Sequence, residues 1–504
     1  MDNPILWGLI SVQVAMGAFD TIVHHEGTER LAWRTSQKNE LRLHGVRNFF
    51  YAIIFMCFAW LEPHGVFTII PTGILCVEVL ITLWDFVEED LTRKLPATER
   101  VNHTLLALNY GAILALAAPY LWNWAFLPSA LIPVSYGWWS VLATLSAIGV
   151  GIFSARDLLA AARSDRLDRG DPAALVAVLK PRQHILVTGG TGFVGTRLVE
   201  ALVRARHNVT VLTRDARKVD QLAHPVRVVT SLDMIDSDDH YDVIVNLAGE
   251  SIAGGLWTAK RRQAIIASRV NMTRDVSALI KRLTVKPTCL INGSAIGWYG
   301  LQDPQDDTEL AEDAAFNPAF VHDVCAAWEQ EARLIEHQGI RVVILRIGLV
   351  LGVDGGLLAK LLTPFEFGLG AILGNGQQWM SWIEHDDLIR AIAFAIANPD
   401  LSGPINAVAP HPVRNSEFSQ ELAAALHRPL LFKAPEWLLA NGLGDLGKET
   451  MLGSQRVVPV RLIEQGFQFR HDGIGPTLKK ITGAKHVHDK NAQASPSLKA
   501  NPHG

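Results

Sequence analysis

Three glycines, Gly189, Gly192 and Gly195, have the spacing with the most specific chemistry in the chain. They follow a short apolar run, residues 185–187, and precede a helical pattern. Such glycines permit a tight turn and a close approach of the backbone to a pyrophosphate, whose charge is stabilised by the N–H groups at the start of the helix. A second predicted strand, residues 208–214, follows at the expected distance. This order predicts a dinucleotide-binding site in a Rossmann domain.

The end of that second strand bears on the choice of dinucleotide. An acidic side chain there would bind the ribose diol of NAD and repel a 2′-phosphate. Here Thr213 and Arg214 hold the place, with Arg217 close behind. A guanidinium suits the phosphate of NADP, so NADP is the predicted cofactor. Asp215 follows immediately, and a solvated Arg214 without a ligand is the alternative.

Strands alternate with helical stretches after the glycine turn, which predicts an α/β fold with a doubly wound parallel sheet. The predicted strands are residues 226–229, 242–246, 288–293 and 341–347, and the predicted helices are residues 258–283 and 318–338. From residue 352 onward the pattern is looser and suits a small substrate subdomain. We therefore predict a Rossmann domain over 181–350, a C-terminal subdomain over 351–482 and a disordered tail over 483–504.

Several segments of this part resemble a known family. They are residues 246–252, 294–300, 345–352, 382–387, 406–410 and 453–469. Together with the glycine turn they are similar to the extended short-chain dehydrogenase/reductase superfamily, and within it to the "epimerase family" proteins that are related to sugar-nucleotide epimerases. The resemblance covers residues 184–482 and does not include the first third of the chain.

The resemblance implies roles for individual residues. It places six of them in the phosphate loop: Gly189, Thr191, Gly192, Phe193, Val194 and Gly195. It assigns Arg214 to the adenosine phosphate, and Leu247, Ala248 and Gly249 to the adenine-ribose side. Ser294 matches the serine that hydrogen-bonds a substrate carbonyl or hydroxyl.

The sequence departs from the family at its proton donor. Those enzymes use a tyrosine as the donor and a lysine four residues later that lowers its pKa. Val321 and Cys325 occupy these places, and no lysine occurs in residues 287–359. Tyr299, just past Ser294, is the candidate substitute acid. Its alternative role is that of a loop aromatic packed near the cofactor.

The first 160 residues have the composition of membrane helices. Predicted spans are residues 4–23, 48–61, 66–84, 105–122 and 138–155, of which the second is short enough to be interfacial. Five spans are expected, with four as the alternative. We predict an all-α transmembrane bundle over 1–160 and a linker over 161–180.

The basic residues of the loops predict the orientation of this bundle. Arginines and lysines concentrate after the first, third and fifth spans, whereas the intervening loops have none. The positive-inside rule then places the N-terminus outside and the Rossmann domain in the cytoplasm, which predicts a multi-pass protein of the inner (cytoplasmic) membrane. Four cysteines without paired spacing fit a reducing compartment.

Polar residues gather at the expected cytoplasmic ends of the spans. They are His24, His25, Glu40, His44, Asp85, Glu89, Glu99 and His103. Carboxylates and imidazoles four residues apart on helices could bind iron, zinc or manganese. Polar helix ends at a membrane surface are the simpler explanation, and no metal site is predicted.

Two functions are consistent with these features. The first is a membrane-anchored NADP(H)-dependent oxidoreductase or epimerase that acts on a small molecule, with Ser294 and Tyr299 at the reacting centre. The alternative is a non-catalytic NADP-sensing module that regulates the membrane bundle, because the tyrosine and lysine are missing. A formal net charge of −4 without a basic stripe argues against a nucleic-acid partner.

Overall fold

A computed structural model describes residues 2–93, 95–167, 169–215, 219–220 and 222–484. The chain divides into two compact units, residues 1–168 and residues 169–504. Arg217 lies outside the described residues, as does the predicted tail except for residues 483 and 484.

The first unit is helical. Its α-helices are α1 (Pro4–Phe19), α2 (Lys38–Trp60), α3 (Ile69–Thr92), α4 (Ala97–Ala125) and α5 (Trp138–Arg163), and its strands β1 (Leu61–His64) and β2 (Ala130–Pro133) form an antiparallel pair. After α1 the chain continues in a wider helical turn with i→i+5 geometry, Asp20–Glu29. In the described part of the chain, five helical segments are long and apolar enough to cross a membrane.

This unit places apolar side chains outside and charged ones inside. Leu80 and Leu108 are about two-thirds exposed, whereas Glu40, Glu89 and Glu99 are fully buried. A water-soluble bundle has the opposite arrangement, and helices that face lipid have this one. Helix α2 corresponds to the span that was predicted to begin at residue 48. It begins ten residues earlier, at Lys38, because its polar first turns pack inside the unit.

The second unit is built on a seven-stranded parallel sheet. Its elements up to residue 352 are β3 (His184–Thr188), α6 (Phe193–Arg204), β4 (Asn208–Leu212), β5 (Arg227–Val229), β6 (Val243–Asn246), α7 (Ala259–Arg282), β7 (Cys289–Ala295), α8 (Phe320–Arg333), β8 (Arg341–Ile347) and β9 (Leu349–Gly352). Along β3, Ile185 and Val187 belong to one apolar core while Leu186 belongs to another. Both faces of the sheet are therefore covered, as in a doubly wound fold.

The remaining elements complete the sheet and add a small substructure. They are α9 (Gly356–Glu366), β10 (Ala371–Leu373), β11 (Trp379–Met380), β12 (Trp382–Glu384), α10 (His385–Ala397), β13 (Gly403–Ala407), β14 (Val413–Arg414), α11 (Asn415–Ala425), β15 (Phe432–Ala434), α12 (Glu436–Leu443), α13 (Val460–Glu464) and α14 (Ile474–Ile481). The strand order of the main sheet is β13-β8-β7-β6-β3-β4-β5. The predicted division at residue 350 does not coincide with this sheet, because β13 pairs with β8 at its edge.

Candidate functional site

The turn between β3 and α6 is packed too tightly for side chains at two of its glycines. Gly189 has a φ of +70°, and a Cβ there would lie 2.7 Å from the carbonyl carbon of Leu247. A Cβ on Gly195 would lie 2.1 Å from the carbonyl oxygen of Gly189. Gly192 is the N-cap residue of α6. Because it has no side chain, it offers no side-chain acceptor to the first N–H groups of the helix. This cradle fits a phosphate, which needs close backbone N–H groups and a helix N-terminus.

A cavity of about 820 Å³ opens beside this turn. Seven of the predicted cofactor residues line it: Gly189, Thr191, Gly192, Arg214, Leu247, Ala248 and Gly249. The other three lie behind the turn. The Phe193 ring packs on that of His385 with centroids 4.1 Å apart, Val194 packs against the core, and Gly195 contacts the turn itself. The cavity is large enough for the adenosine and diphosphate part of a dinucleotide.

Arg214 stands at the rim of this cavity. Its side chain is 83% exposed, and its Nη2 lies 3.8 Å from Oε2 of Glu250. An exposed ion pair at this distance contributes little energy, so Glu250 holds the Arg214 side chain only weakly. The guanidinium can therefore turn toward an anionic ligand in the cavity.

Ser294 lies near the end of β7 in a buried polar network. Its hydroxyl donates to Oε1 of Glu329 at 2.8 Å. Arg346 donates to both oxygens of the same carboxylate, with Nε at 2.9 Å and Nη2 at 3.1 Å. Ser294 is only 3% exposed, and the two charged residues are fully buried. The Glu329–Arg346 ion pair thus holds the Ser294 hydroxyl in one orientation. The serine oxygen keeps lone pairs that can accept a further hydrogen bond.

Tyr299 belongs to the same network from the other side. Its hydroxyl donates to Oδ1 of Asn406 at 2.7 Å and accepts from Nη1 of Arg346 at 3.1 Å. Burial raises the pKa of Tyr299 to about 12, although Arg346 opposes the shift. The structure thus connects the two predicted catalytic residues through Glu329 and Arg346, but it encloses the phenol, which is 1% exposed. The catalytic roles of Ser294 and Tyr299 stay predictions.

Three residues of this network, Glu329, Arg346 and Asn406, were absent from the residues expected at the site. A signal for Arg346 was present, because a lone arginine inside the apolar run of β8 needs a buried partner. Glu329 and Asn406 gave no comparable signal, since polar residues on a helix and near a strand end are ordinary.

The places expected for the family's tyrosine and lysine lie against the loop after β7. A Cβ on Gly297 would lie 3.0 Å from Cβ of Val321 and 3.4 Å from Sγ of Cys325. The thiol of Cys325 donates to the carbonyl of Ala295 at 3.6 Å, and burial raises its pKa to about 11. At these two positions α8 therefore presents an isopropyl group and a protonated thiol, neither of which is an acid of useful strength near neutral pH.

The polar residues of the first unit also come together. Nε2 of His44 lies 2.9 Å from Asp85, and Nδ1 of His103 lies 3.3 Å from Glu89. His24, His25, Glu40 and Glu99 lie in the same region, where Asp20 and Arg93 join them. The sequence thus located this cluster but missed Asp20 and Arg93 as members.

A doubly wound sheet with this glycine turn and adenosine-sized cavity defines a Rossmann-type dinucleotide-binding protein. Residues 185–408 match the NAD dependent epimerase/dehydratase family, and residues 434–481 match a domain of unknown function, DUF1731. The chain is 37% identical over 300 residues to the epimerase family protein YfhF of Bacillus subtilis, which covers 59% of this chain and 97% of that one. The chloroplastic SDR39U1 homologue of Arabidopsis thaliana is 36% identical over 305 residues, covering 59% of this chain and 86% of that one.

A solved structure of an epimerase family protein is also similar to this chain. Human epimerase family protein SDR39U1 (isoform 2), crystallised with NADPH, is 29% identical with a TM-score of 0.54, and the match covers 59% of this chain and 99% of that one. The chain belongs to the NAD dependent epimerase/dehydratase family. The predicted family, the Rossmann fold class and the nicotinamide dinucleotide as cofactor are confirmed.

Proposed function

We propose that this protein is an NADPH-dependent oxidoreductase or epimerase anchored in a membrane by its first unit. The observation that supports this most directly is the glycine turn beside a cavity of about 820 Å³. Close backbone contacts in this turn leave no room for a side chain at Gly189 or Gly195. The SDR39U1 structure with NADPH, a relative at 29% identity, supports the choice of cofactor.

The cofactor residues divide into two groups in this proposal. The turn from Gly189 to Gly192 and the start of α6 hold the diphosphate, because the backbone comes close there and the helix dipole favours negative charge. Arg214 turns toward the 2′-phosphate, which distinguishes NADPH from NADH. Leu247 and Gly249 face the adenosine side of the cavity.

When bound, the cofactor supplies or accepts a hydride at its nicotinamide ring. Ser294 holds the substrate oxygen in this proposal. Since its hydroxyl donates to Glu329, it accepts a hydrogen bond from a substrate alcohol more readily than it donates one to a carbonyl. Tyr299 acts through Arg346 as a positioning residue, because its hydroxyl is enclosed, and water moves the proton.

The first unit supports the membrane anchor. Five long apolar segments with outward-facing leucines are compatible with five spans. We place the N-terminus outside and the second unit in the cytoplasm, following the positions of the basic residues in the loops. An anchored enzyme suits an apolar or lipid-linked substrate.

One observation favours a second function, that of a non-catalytic NADP sensor. Val321 and Cys325 provide no proton donor, and the hydroxyls of Ser294 and Tyr299 are both engaged within the protein. A sensor would bind NADPH and never oxidise it.

Titration of full-length protein in detergent with NADPH and with NADH, followed by cofactor fluorescence, tests the binding step. We expect saturable binding with NADPH favoured at least tenfold, and the absence of binding of either dinucleotide would contradict the proposal. Oxidation of NADPH with a panel of carbonyl compounds then separates the two functions. Turnover that is lost in Ser294→Ala and only reduced in Tyr299→Phe supports the proposed enzyme, whereas binding without turnover supports the sensor.

A further inference from the structure

A mostly apolar cavity of about 420 Å³ lies within the first unit. Its walls include Val14, Phe55, Leu106 and Phe153, and polar residues also line it. Three of these polar residues, Asp20, His25 and His103, point ligand atoms toward one another. A mostly apolar cavity with a few convergent polar groups can hold a reacting group against an apolar molecule.

The three ligand atoms have the spacing of a metal site. Oδ2 of Asp20 lies 3.3 Å from Nε2 of His25 and 3.0 Å from Nε2 of His103. Ligands at about 2.1 Å from one ion lie about 3.0 Å apart in an octahedron and about 3.4 Å apart in a tetrahedron. A single ion therefore fits between these atoms with little movement of the side chains.

Buried atoms in this group lack hydrogen-bond partners. Nε2 of His25 makes no hydrogen bond with any described residue, although His25 is only 7% exposed. The 3.3 Å between this nitrogen and Oδ2 of Asp20 is an ion-pair distance without hydrogen-bond geometry. Buried polar atoms are nearly always satisfied, so each exception requires a reason. A cation at the His25 nitrogen gives that atom its missing partner.

The neighbours of the three residues hold them in place as outer partners of metal ligands do. The other oxygen of Asp20 accepts from Nδ2 of Asn102 at 3.1 Å and lies 2.8 Å from Nδ1 of His24. Nδ1 of His103 faces Oε2 of Glu89 at 3.3 Å. A carboxylate behind a ligating histidine fixes its tautomer and orientation.

We propose that Asp20, His25 and His103, which all line this cavity, bind one divalent first-row transition-metal ion there. Two histidines and one carboxylate are the set typical of non-haem iron(II), and three protein ligands leave coordination positions open toward the cavity. The open positions and apolar walls suit an apolar ligand that approaches the ion from within the membrane.

A second grouping of four, His25, Glu40, His44 and Glu89, shares one histidine with this set. The structure favours the first set because Asp20, His25 and His103 all line the cavity, whereas Glu40 and Glu89 do not. Arg93 donates to both oxygens of Glu40, and it also donates to both oxygens of Glu99, the fourth residue grouped with Asp20, His25 and His103.

Metal analysis of full-length protein in detergent tests this site. The protein is incubated separately with Fe²⁺ (without oxygen), Mn²⁺ and Zn²⁺, and is then dialysed against a weak chelator. We expect about one ion per chain from at least one of these metals, and at least a tenfold loss in Asp20→Asn and His103→Gln. His64→Ala changes a histidine of the same unit outside the cluster and should keep the full content.

Three results would overturn the proposal: no retained ion in the wild type, full content in both variants, or a loss in Glu40→Gln with none in Asp20→Asn. Titration of the wild type with Co²⁺ keeps the test independent of whether the variants fold. Saturation at one Co²⁺ per chain with a visible spectrum unlike that of the aqueous ion supports the site, and a spectrum of aqueous ion alone contradicts it.

Discussion

Replacement of Gly195 by alanine should abolish dinucleotide binding while leaving the second unit folded. The new methyl group would lie 2.1 Å from the carbonyl oxygen of Gly189 and 2.7 Å from Cα of Gly190. A carbon–oxygen contact needs more than about 3 Å. Because both neighbours are backbone atoms, the turn and the start of α6 must separate by about 1 Å.

That displacement sets the size of the effect on binding. A hydrogen bond of about 2.9 Å that lengthens by about 1 Å is lost. If two N–H groups of the turn lose a phosphate, each bond to a charged group contributes about 1.5–3 kcal/mol, for a total of about 3–6 kcal/mol. The Kd for NADPH should therefore rise by about 10²- to 10⁴-fold. The strain in the protein itself should cost about 1–3 kcal/mol of stability.

The assay is a fluorescence titration of the full-length protein with NADPH, with thermal unfolding as the measure of folding. Gly473→Ala is the matched control, since a Cβ there has no neighbour closer than 3.7 Å and the φ of −109° suits any residue. A Kd within threefold of the wild type for Gly195→Ala would refute the assignment of this turn to the phosphates.

Three further predictions concern the second unit. Arg214→Ala should weaken NADPH binding by about tenfold or more and leave NADH binding unchanged, because a charge-assisted bond to the 2′-phosphate is lost; equal losses for both dinucleotides in parallel titrations would contradict this. Glu329→Gln should lower the unfolding temperature by about 10 °C, because breaking a buried ion pair costs about 3–5 kcal/mol and leaves Arg346 without its carboxylate. An unfolding midpoint equal to that of the wild type in a thermal scan would count against the network. Burial alone would raise the pKa of Asp386, but hydrogen bonds from Arg197 at 2.9 and 3.0 Å and the charges nearby hold that pKa below its ordinary value. The stability that Asp386 contributes is thus present above about pH 4 and is lost as the pH falls through the lowered pKa. The difference in unfolding temperature between the wild type and Asp386→Asn should therefore shrink from pH 6 to pH 3. A difference that stays constant over this range would disprove the contribution of Asp386.

The sequence predicted most of the second unit because its strands are short, apolar and separated by helices of clear period. β8 was placed at its observed bounds, and β3, β6 and β7 were placed within two residues at each end. β13 was missed because residues 403–407 contain a glycine and a proline, which weaken any strand pattern, and only pairing with β8 makes them a strand.

The candidate site was predictable to a different degree in its two halves. The phosphate turn depends on local spacing, so Gly189 and Gly195 could be read from the chain directly. The network around Arg346 joins residues more than 100 positions apart, and no local pattern encodes such contacts. Whether Tyr299 is open to a ligand is likewise decided by distant residues that cover it.

The stretch Asp20–Glu29 has a consequence for the ancestry of the first unit. Each of its turns takes up about one residue more than an ordinary α-helical turn. Insertion of one codon into an ordinary α-helix would produce one such wider turn and would swing every later side chain around the axis. A deletion of one residue between Asp20 and His24, for example of Thr21, should reverse that rotation and move His24 and His25 together relative to Asp20, so that a single genetic event decides the arrangement.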